Sequence, residues 1–275
     1  VGLQKPTLRR VLSHLERIPV RPSFIHEHYS PDGNAGAEHG RMYFTPQNAL
    51  RIDSARVRIE EWRCAGLVDD DGYHVLLAAI IEAADRIANT TGVYAAFVKS
   101  WQPNALRSFQ LRVVRPLNGA GSRAERGDAI DIVRAAGDFE LLYLDPPYNA
   151  RQYPGYYHIP ELIATGWFGD AVVTRGKTGL ISDREKRSDW SSSRRCEAAF
   201  EALLATARCR HVVMSYNEEG LISGATIERL MKQYGIRDTY RRYERRYRRY
   251  RSDTDGETRH YRGDTVAEYL YCVSR

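Results

Sequence analysis

Leu141-Leu142-Tyr143-Leu144-Asp145-Pro146-Pro147-Tyr148-Asn149 is the stretch on which the fold of this chain is decided. Four apolar or aromatic residues in a row predict a buried strand, and an acidic residue then stands at its carboxyl end, where ligands bind in open α/β sheets. Two prolines restrict the loop that follows, and Tyr148 is held next to them. Methyl transfer to an exocyclic base amine needs these parts. Such an amine is a poor nucleophile until acceptors hold its hydrogens, and a carboxylate (Asp145) with a proline-loop carbonyl (Pro146, braced by Pro147) can do so. Tyr148 can stack on the base. In a duplex the base must first leave the helix, a cost that stacking helps offset. The alternative is a β-turn whose Asp merely caps the strand, and Asp-Pro-Pro-Tyr after a hydrophobic strand argues against it.

Downstream of this loop the pattern alternates. A helix is expected from about Arg194 to Ala207, capped by Ser191 to Ser193, then a strand from His211 to Ser215 and a helix over Gly224 to Tyr234. Two strands, Tyr240 to Tyr250 and Thr265 to Val273, close the chain around a polar turn. Just upstream, Ile130 to Ala136 reads as a helix. Residues 124–275 therefore predict an α/β domain with a mostly parallel sheet and an antiparallel C-terminal hairpin.

The first half reads differently. Residues 1–43 comprise a helical stretch with Leu8, Val11, Leu12, Leu15 and Ile18, stopped at Pro19 and Pro22, and then a turn-rich segment, 29–41, expected to be an exposed loop. Residues 44–123 are mainly helical. Thr45-Pro46 starts one helix, which Gly66 ends, and a second runs from about Asp71 to Ala88. Gln110 to Val114 alternates weakly and predicts a short strand. Gly119-Ala120-Gly121-Ser122 is read as a loop, because it follows Arg115-Pro116 and not a hydrophobic strand.

Composition adds a partner. The 275 residues carry a net charge of +6 with pI near 9.1. Residues 241–251 alone hold seven arginines against Glu244, which equals that net charge. Guanidinium groups neutralise phosphates and tyrosines stack on bases, so Arg245, Arg246, Arg248 and Arg249 are candidate DNA contacts. The alternative is a solvated strand face. No apolar run reaches the roughly 18 residues that span a bilayer and no signal-peptide pattern opens the chain, so a soluble, cytoplasmic protein without a membrane partner is expected. Cys64, Cys196, Cys209 and Cys272 form no CxxC pair and read as reduced and structural. The eight histidines show no ligand spacing, so no metal is expected.

Several motifs in order carry a family resemblance. Asp145-Pro-Pro-Tyr-Asn-Ala-Arg151-Gln152-Tyr153 with Tyr157-His158 resembles motif IV of the Dam and FokI-type adenine-specific DNA methyltransferases. Tyr43-Phe44-Thr45, Asn89-Thr90-Thr91-Gly92-Val93-Tyr94 and Ser215-Tyr216-Asn217-Glu218-Glu219-Gly220-Leu221-Ile222-Ser223 are similar to the same branch. The resemblance implies a Rossmann-like methyltransferase sheet with a helical insertion, methyl transfer from S-adenosylmethionine to adenine N6, and a double-stranded DNA substrate. It implies that Asp145 holds the target amine, Pro146 supplies its carbonyl, Tyr148 stacks on the flipped adenine, and Asp128 together with Asp145 contacts the donor. Asp128 alternatively caps its helix. Residues 44–123 occupy the place of the target-recognition region, which makes Tyr94, Lys99 and Trp101 candidate DNA contacts, with Arg151 beside the catalytic loop. Lys177, Arg184, Lys186 and Arg187, in a polar loop after the strand that precedes Asp145, are further candidates for the DNA backbone, with a solvated loop as the equal alternative. Nothing before Thr45 matches the family's Phe-x-Gly-x-Gly loop, so a missing or separate N-terminal donor-binding segment is expected, with an exposed sheet edge or apolar groove in its place. A cognate restriction endonuclease is expected for this branch. Competing readings are a DNA-binding fragment without activity, and methylation of cytosine N4 or of RNA.

Overall fold

The computed structural model describes residues 7–114, 121–169, 171–181, 187–248 and 265–275. In chain order, α1 (Leu8–Leu15), α2 (Phe24–Tyr29), α3 (Asn34–Glu38), α4 (Pro46–Cys64) and α5 (Asp70–Arg86) precede α6 (Ala129–Ala136), β1 (Asp138–Leu144) and α7 (Tyr153–Thr165). Then come β2 (Thr174–Arg175), β3 (Leu180–Ile181), α8 (Cys196–Thr206), β4 (Arg208–Asn217), α9 (Gly224–Tyr234), β5 (Arg241–Arg248) and β6 (Thr265–Ser274). The chain divides into two compact units, Val1–Gly121 with Tyr153–Arg184, and Ser122–Gln152 with Glu185–Arg275. This differs from the three-part division read from the sequence, because the segment after the catalytic loop rejoins the helical part. Among the described residues, no helix is long and apolar enough to cross a membrane.

The first unit is built around α4. Thr45 accepts the Asn48 N–H and Pro46 opens the helix, as its sequence dictates. Its interior carries polar side chains that each find a partner. Asp53 accepts N–H groups of Ser23 (2.8 Å), Ile25 (2.9 Å) and His26 (2.9 Å), which anchors the start of α2. Burial pushes that carboxyl up to about 7, while the three N–H groups pull the other way. Arg56, fully buried, reaches the Ile163 carbonyl (2.7 Å), Glu60 (2.8 Å) and the Tyr73 hydroxyl (3.0 Å), and so ties α4 to α7.

Two expectations fail in this unit. Residues 29–41 are not an exposed loop: they contain α3, and Tyr29, Ser30 and Arg41 are buried. Turn-forming composition concealed side chains whose partners lie in distant sequence. Residues 110–114 form no strand. Phe109 N–H donates to Asn48 and Leu111 N–H to Glu16, so side chains from the helices take the place of a neighbouring strand.

The second unit holds a four-stranded sheet in the order β1-β4-β6-β5. β1 pairs with β4 in parallel, while β4–β6 and β6–β5 are antiparallel. The C-terminal antiparallel pair is as expected, but one parallel pair against two antiparallel ones makes the described sheet mixed and not mostly parallel. Hydrophobic periodicity identifies strands without specifying their neighbours. Val212, Met214 and Tyr216 alternate inward on β4 against Phe200, Leu203 and Leu230 of the helices. On the opposite face, Leu141, Tyr143, Tyr243 and Leu270 are exposed, and β1 has a single strand neighbour among the described residues. The serines before α8 do not cap it. Ser191 ends a 3-10 turn, Asp189–Ser191, in which Ser188 accepts the Trp190 N–H, and α8 starts at Cys196 with the Ser192 carbonyl accepting its N–H.

His158 of α7 is 2% exposed, packed against the Tyr29 and Tyr43 rings. Neither ring nitrogen makes a well-formed hydrogen bond among the described residues. Burial lowers its pKa from 6.5 to about 4, although the backbone of Gly155 and Thr178 pulls upward. The folded protein thus binds this proton less tightly than the unfolded chain. The associated stability is complete above 6.5 and is lost as pH falls towards 4. Chemical denaturation at pH 4 to 7 should show this loss, on the order of 3 kcal/mol at most, and His158→Phe should flatten that part of the profile.

Candidate active site

The carboxyl end of β1 is placed by its pairing with β4. Leu144 lies opposite Met214, so Asp145 leaves the sheet beside Ser215, and the next loop crosses the ends of β1 and β4. Asp145 is exposed, Pro146 and Pro147 are half-buried, and Tyr148 is 50% exposed. The candidate carboxylate and aromatic ring therefore face open space, as groups that meet a substrate must.

The loop is braced from below. The Tyr216 hydroxyl donates to the Pro147 carbonyl (3.4 Å) and accepts the Ile222 N–H (3.3 Å). Gln152 pins the far end: its amide accepts the Ser188 N–H (2.7 Å) and donates to the Ser188 carbonyl (3.0 Å). Asn149 accepts the Arg151 N–H, which tightens the turn between them. Gly220 is required by this brace, because a Cβ there would lie 2.0 Å from the Tyr216 ring.

Strand register brings two further residues to this end of the sheet. Glu268 of β6 lies opposite Asn217 of β4 on one side and Arg245 of β5 on the other. Burial raises the Glu268 pKa, and the negative charge of Asp145 raises it further. Sequence reading missed Glu268, a solitary acid on a terminal strand with no motif around it. Glu268 and Asp145 are thus close enough to interact electrostatically, with Arg245 opposite Glu268 on the neighbouring strand.

The remaining candidates are dispersed. Asp128 is exposed and caps α6 by accepting the Ile130 N–H (2.9 Å), which is the helix-capping alternative in full. Arg245, Arg246 and Arg248 lie on the exposed edge strand β5, where Arg246 meets Glu244 and Arg245 covers the Tyr247 ring. Arg249, Arg184 and Lys186 fall outside the described residues. In the first unit Lys99 is exposed and Trp101 half-buried, while Arg151, of the second unit, is exposed on the loop. Tyr94 is corrected: it is 2% exposed, its hydroxyl donates to Asp85 (3.0 Å), and its ring stacks on Tyr43. An aromatic in a polar-looking segment resembled a contact but serves the core. A groove of about 520 Å³ in the first unit is lined by Arg86, Arg107 and Arg112, scattered arginines that no sequence run announced.

The exposed aspartate, two prolines and aromatic follow a strand of a mixed α/β sheet. Residues 8–223 match the family described as D12 class N6 adenine-specific DNA methyltransferase, and the chain belongs to that family of enzymes. It is 35% identical over 268 residues to Type II methyltransferase M.NlaIII of Neisseria lactamica, covering 96% of this chain and 75% of that protein. It is 34% identical to Type II methyltransferase M.FokI of Planomicrobium okeanokoites over 99% of this chain, which spans 41% of that longer protein. Type II methyltransferase M.CviAII of Paramecium bursaria Chlorella virus 1 is 32% identical over 99% of this chain and 78% of its own length. No solved structure matches the chain.

Gly220→Ala should push Tyr216 off the loop that follows β1 and destabilise the protein by about 1–3 kcal/mol, a change that denaturant titration reads directly.

Proposed function

We propose that this chain methylates the N6 amine of adenine in a specific double-stranded DNA sequence, with Asp145-Pro146-Pro147-Tyr148 as its catalytic loop and S-adenosylmethionine as donor. The observation that carries the proposal is the placement of an exposed Asp145 and a half-exposed Tyr148 on a braced loop at the carboxyl end of β1. When bound, the donor supplies an electrophilic methyl group. The chain's own residues prepare the amine. Asp145 and the Pro146 carbonyl accept its two N–H hydrogens, which localises the nitrogen lone pair and points it away from the ring plane. Tyr148 stacks on the base after it has left the duplex, and its fixed place beside two prolines keeps the ordering cost low.

For the donor, Asp145 and Asp128 are the candidate contacts, and Asp128 can serve only with whatever capacity its capping bond leaves. DNA is held by β5, whose Arg245, Arg246 and Arg248 are solvent-facing and can displace counterions from phosphates. The names of the relatives, Type II methyltransferases and modification methylases, support a restriction-modification setting with a cognate endonuclease.

Asp145→Ala should lower methyl incorporation into duplex DNA by at least about 100-fold, as loss of a transition-state acceptor does, with DNA affinity unchanged. Full methylation by that variant sinks the mechanism. Replacing Arg245, Arg246 and Arg248 by Ala should weaken DNA binding and flatten its dependence on salt, measured by fluorescence anisotropy.

A further inference from the structure

We propose that the turn Gly176-Lys177-Thr178-Gly179, between β2 and β3, is a preorganised contact for phosphodiester groups of the DNA backbone. This rests on DNA being the substrate. The turn is gripped from inside the first unit by three of its four carbonyls. Arg41 donates to Gly176 (2.9 Å) and Lys177 (3.0 Å), and the Tyr29 hydroxyl to Gly179 (2.8 Å), while the single hydrogen of the Tyr43 hydroxyl is shared between the Tyr94 carbonyl (2.9 Å) and the Thr178 carbonyl (3.1 Å). The third donor of Arg41 meets the His28 carbonyl at 2.9 Å.

Two physical consequences follow from this grip. A peptide N–H points opposite to its carbonyl, so drawing the Gly176 and Lys177 carbonyls inward directs the N–H groups of Lys177 and Thr178 outward. Successive outward N–H groups in such a turn form a concavity suited to an anion. The Gly179 N–H instead returns to Gly176 (3.2 Å) and closes the turn. Gly176 and Gly179 sit at φ of 64° and 70°, and a Cβ on Gly179 would stand 2.9 Å from the Tyr29 ring.

The second consequence is electrostatic. Arg41 is 1% exposed and makes no ion pair among the described residues. A guanidinium keeps its charge at any pH the fold survives, so a positive charge, solvated by carbonyl dipoles and partly offset by the nearby Glu38, lies directly beneath the turn. Lys177 and Arg175 are exposed on the outer side. Holding these carbonyls fixes the outward geometry before DNA arrives, which removes ordering cost from binding.

The test compares Lys177→Ala, Arg175→Ala and the double variant with Arg9→Ala, an exposed control on α1, on duplexes with and without the recognition sequence across a salt series. Each turn substitution should reduce the slope of log affinity against log salt by about one and weaken both duplexes equally, about 5- to 10-fold at 0.1 M salt. The control should match the unaltered protein. Unchanged affinity and slope in the double variant overturn the proposal, and so does a loss confined to the duplex with the recognition sequence, which would signal a base contact. Absence of DNA binding by the unaltered chain would overturn it together with the substrate assignment on which it depends.

Discussion

The pairing of β4 is the constraint on which the candidate site depends. It takes β1 in parallel on one side and β6 antiparallel on the other, and this change of sense decides which residues meet. The parallel pair delivers Asp145 beside Ser215, and the antiparallel pair brings the start of β6, with Glu268, to the same end. A slip of one residue would exchange the buried and exposed faces of β4, expose Val212 and Met214, and remove Tyr216 from Pro147. The apolar side of β4 thus holds the register, and the register places the loop.

The first unit is ordered by a different device. Its interior contains charged groups that hydrophobic burial alone would exclude, and each joins segments distant in sequence: Asp53 to residues 23–26, Arg56 to Ile163, and Arg41 to residues 176–177. Buried charges are costly unless their hydrogen bonds are complete, and an incomplete arrangement is heavily penalised. They therefore select one arrangement of helices among many with similar apolar contacts. That explains how residues 153–181 belong to the same unit as residues 7–114 although the catalytic loop and a strand intervene.

Local signals were legible. Thr45-Pro46 marked the start of α4, Gly224 to Tyr234 was read as the helix that α9 is, and Asp-Pro-Pro-Tyr after an apolar run placed the candidate loop on a strand end, where it is found. The family read from those motifs is the family to which the chain belongs. Non-local features were not legible. Residues 29–41 have the glycine, asparagine and serine content of a loop, and the burial of Tyr29 and Arg41 comes from a turn more than 130 residues away. Tyr94 looked like a surface aromatic because its partner Asp85 lies on a helix that, read alone, shows only its own apolar stripe.

What the sequence by itself determined is the chemistry on offer: an acid and an aromatic fixed by prolines, an arginine-rich strand, and most of the helices, since each depends on residues within a few positions of one another. Tertiary structure alone decided which strands are neighbours, that Glu268 and Arg245 stand at the same sheet end as Asp145, and that Arg41 lies buried beneath a distant turn. The physical reason is that strand pairing and the solvation of buried charge are set by partners remote along the chain, and no short stretch of sequence encodes who those partners are.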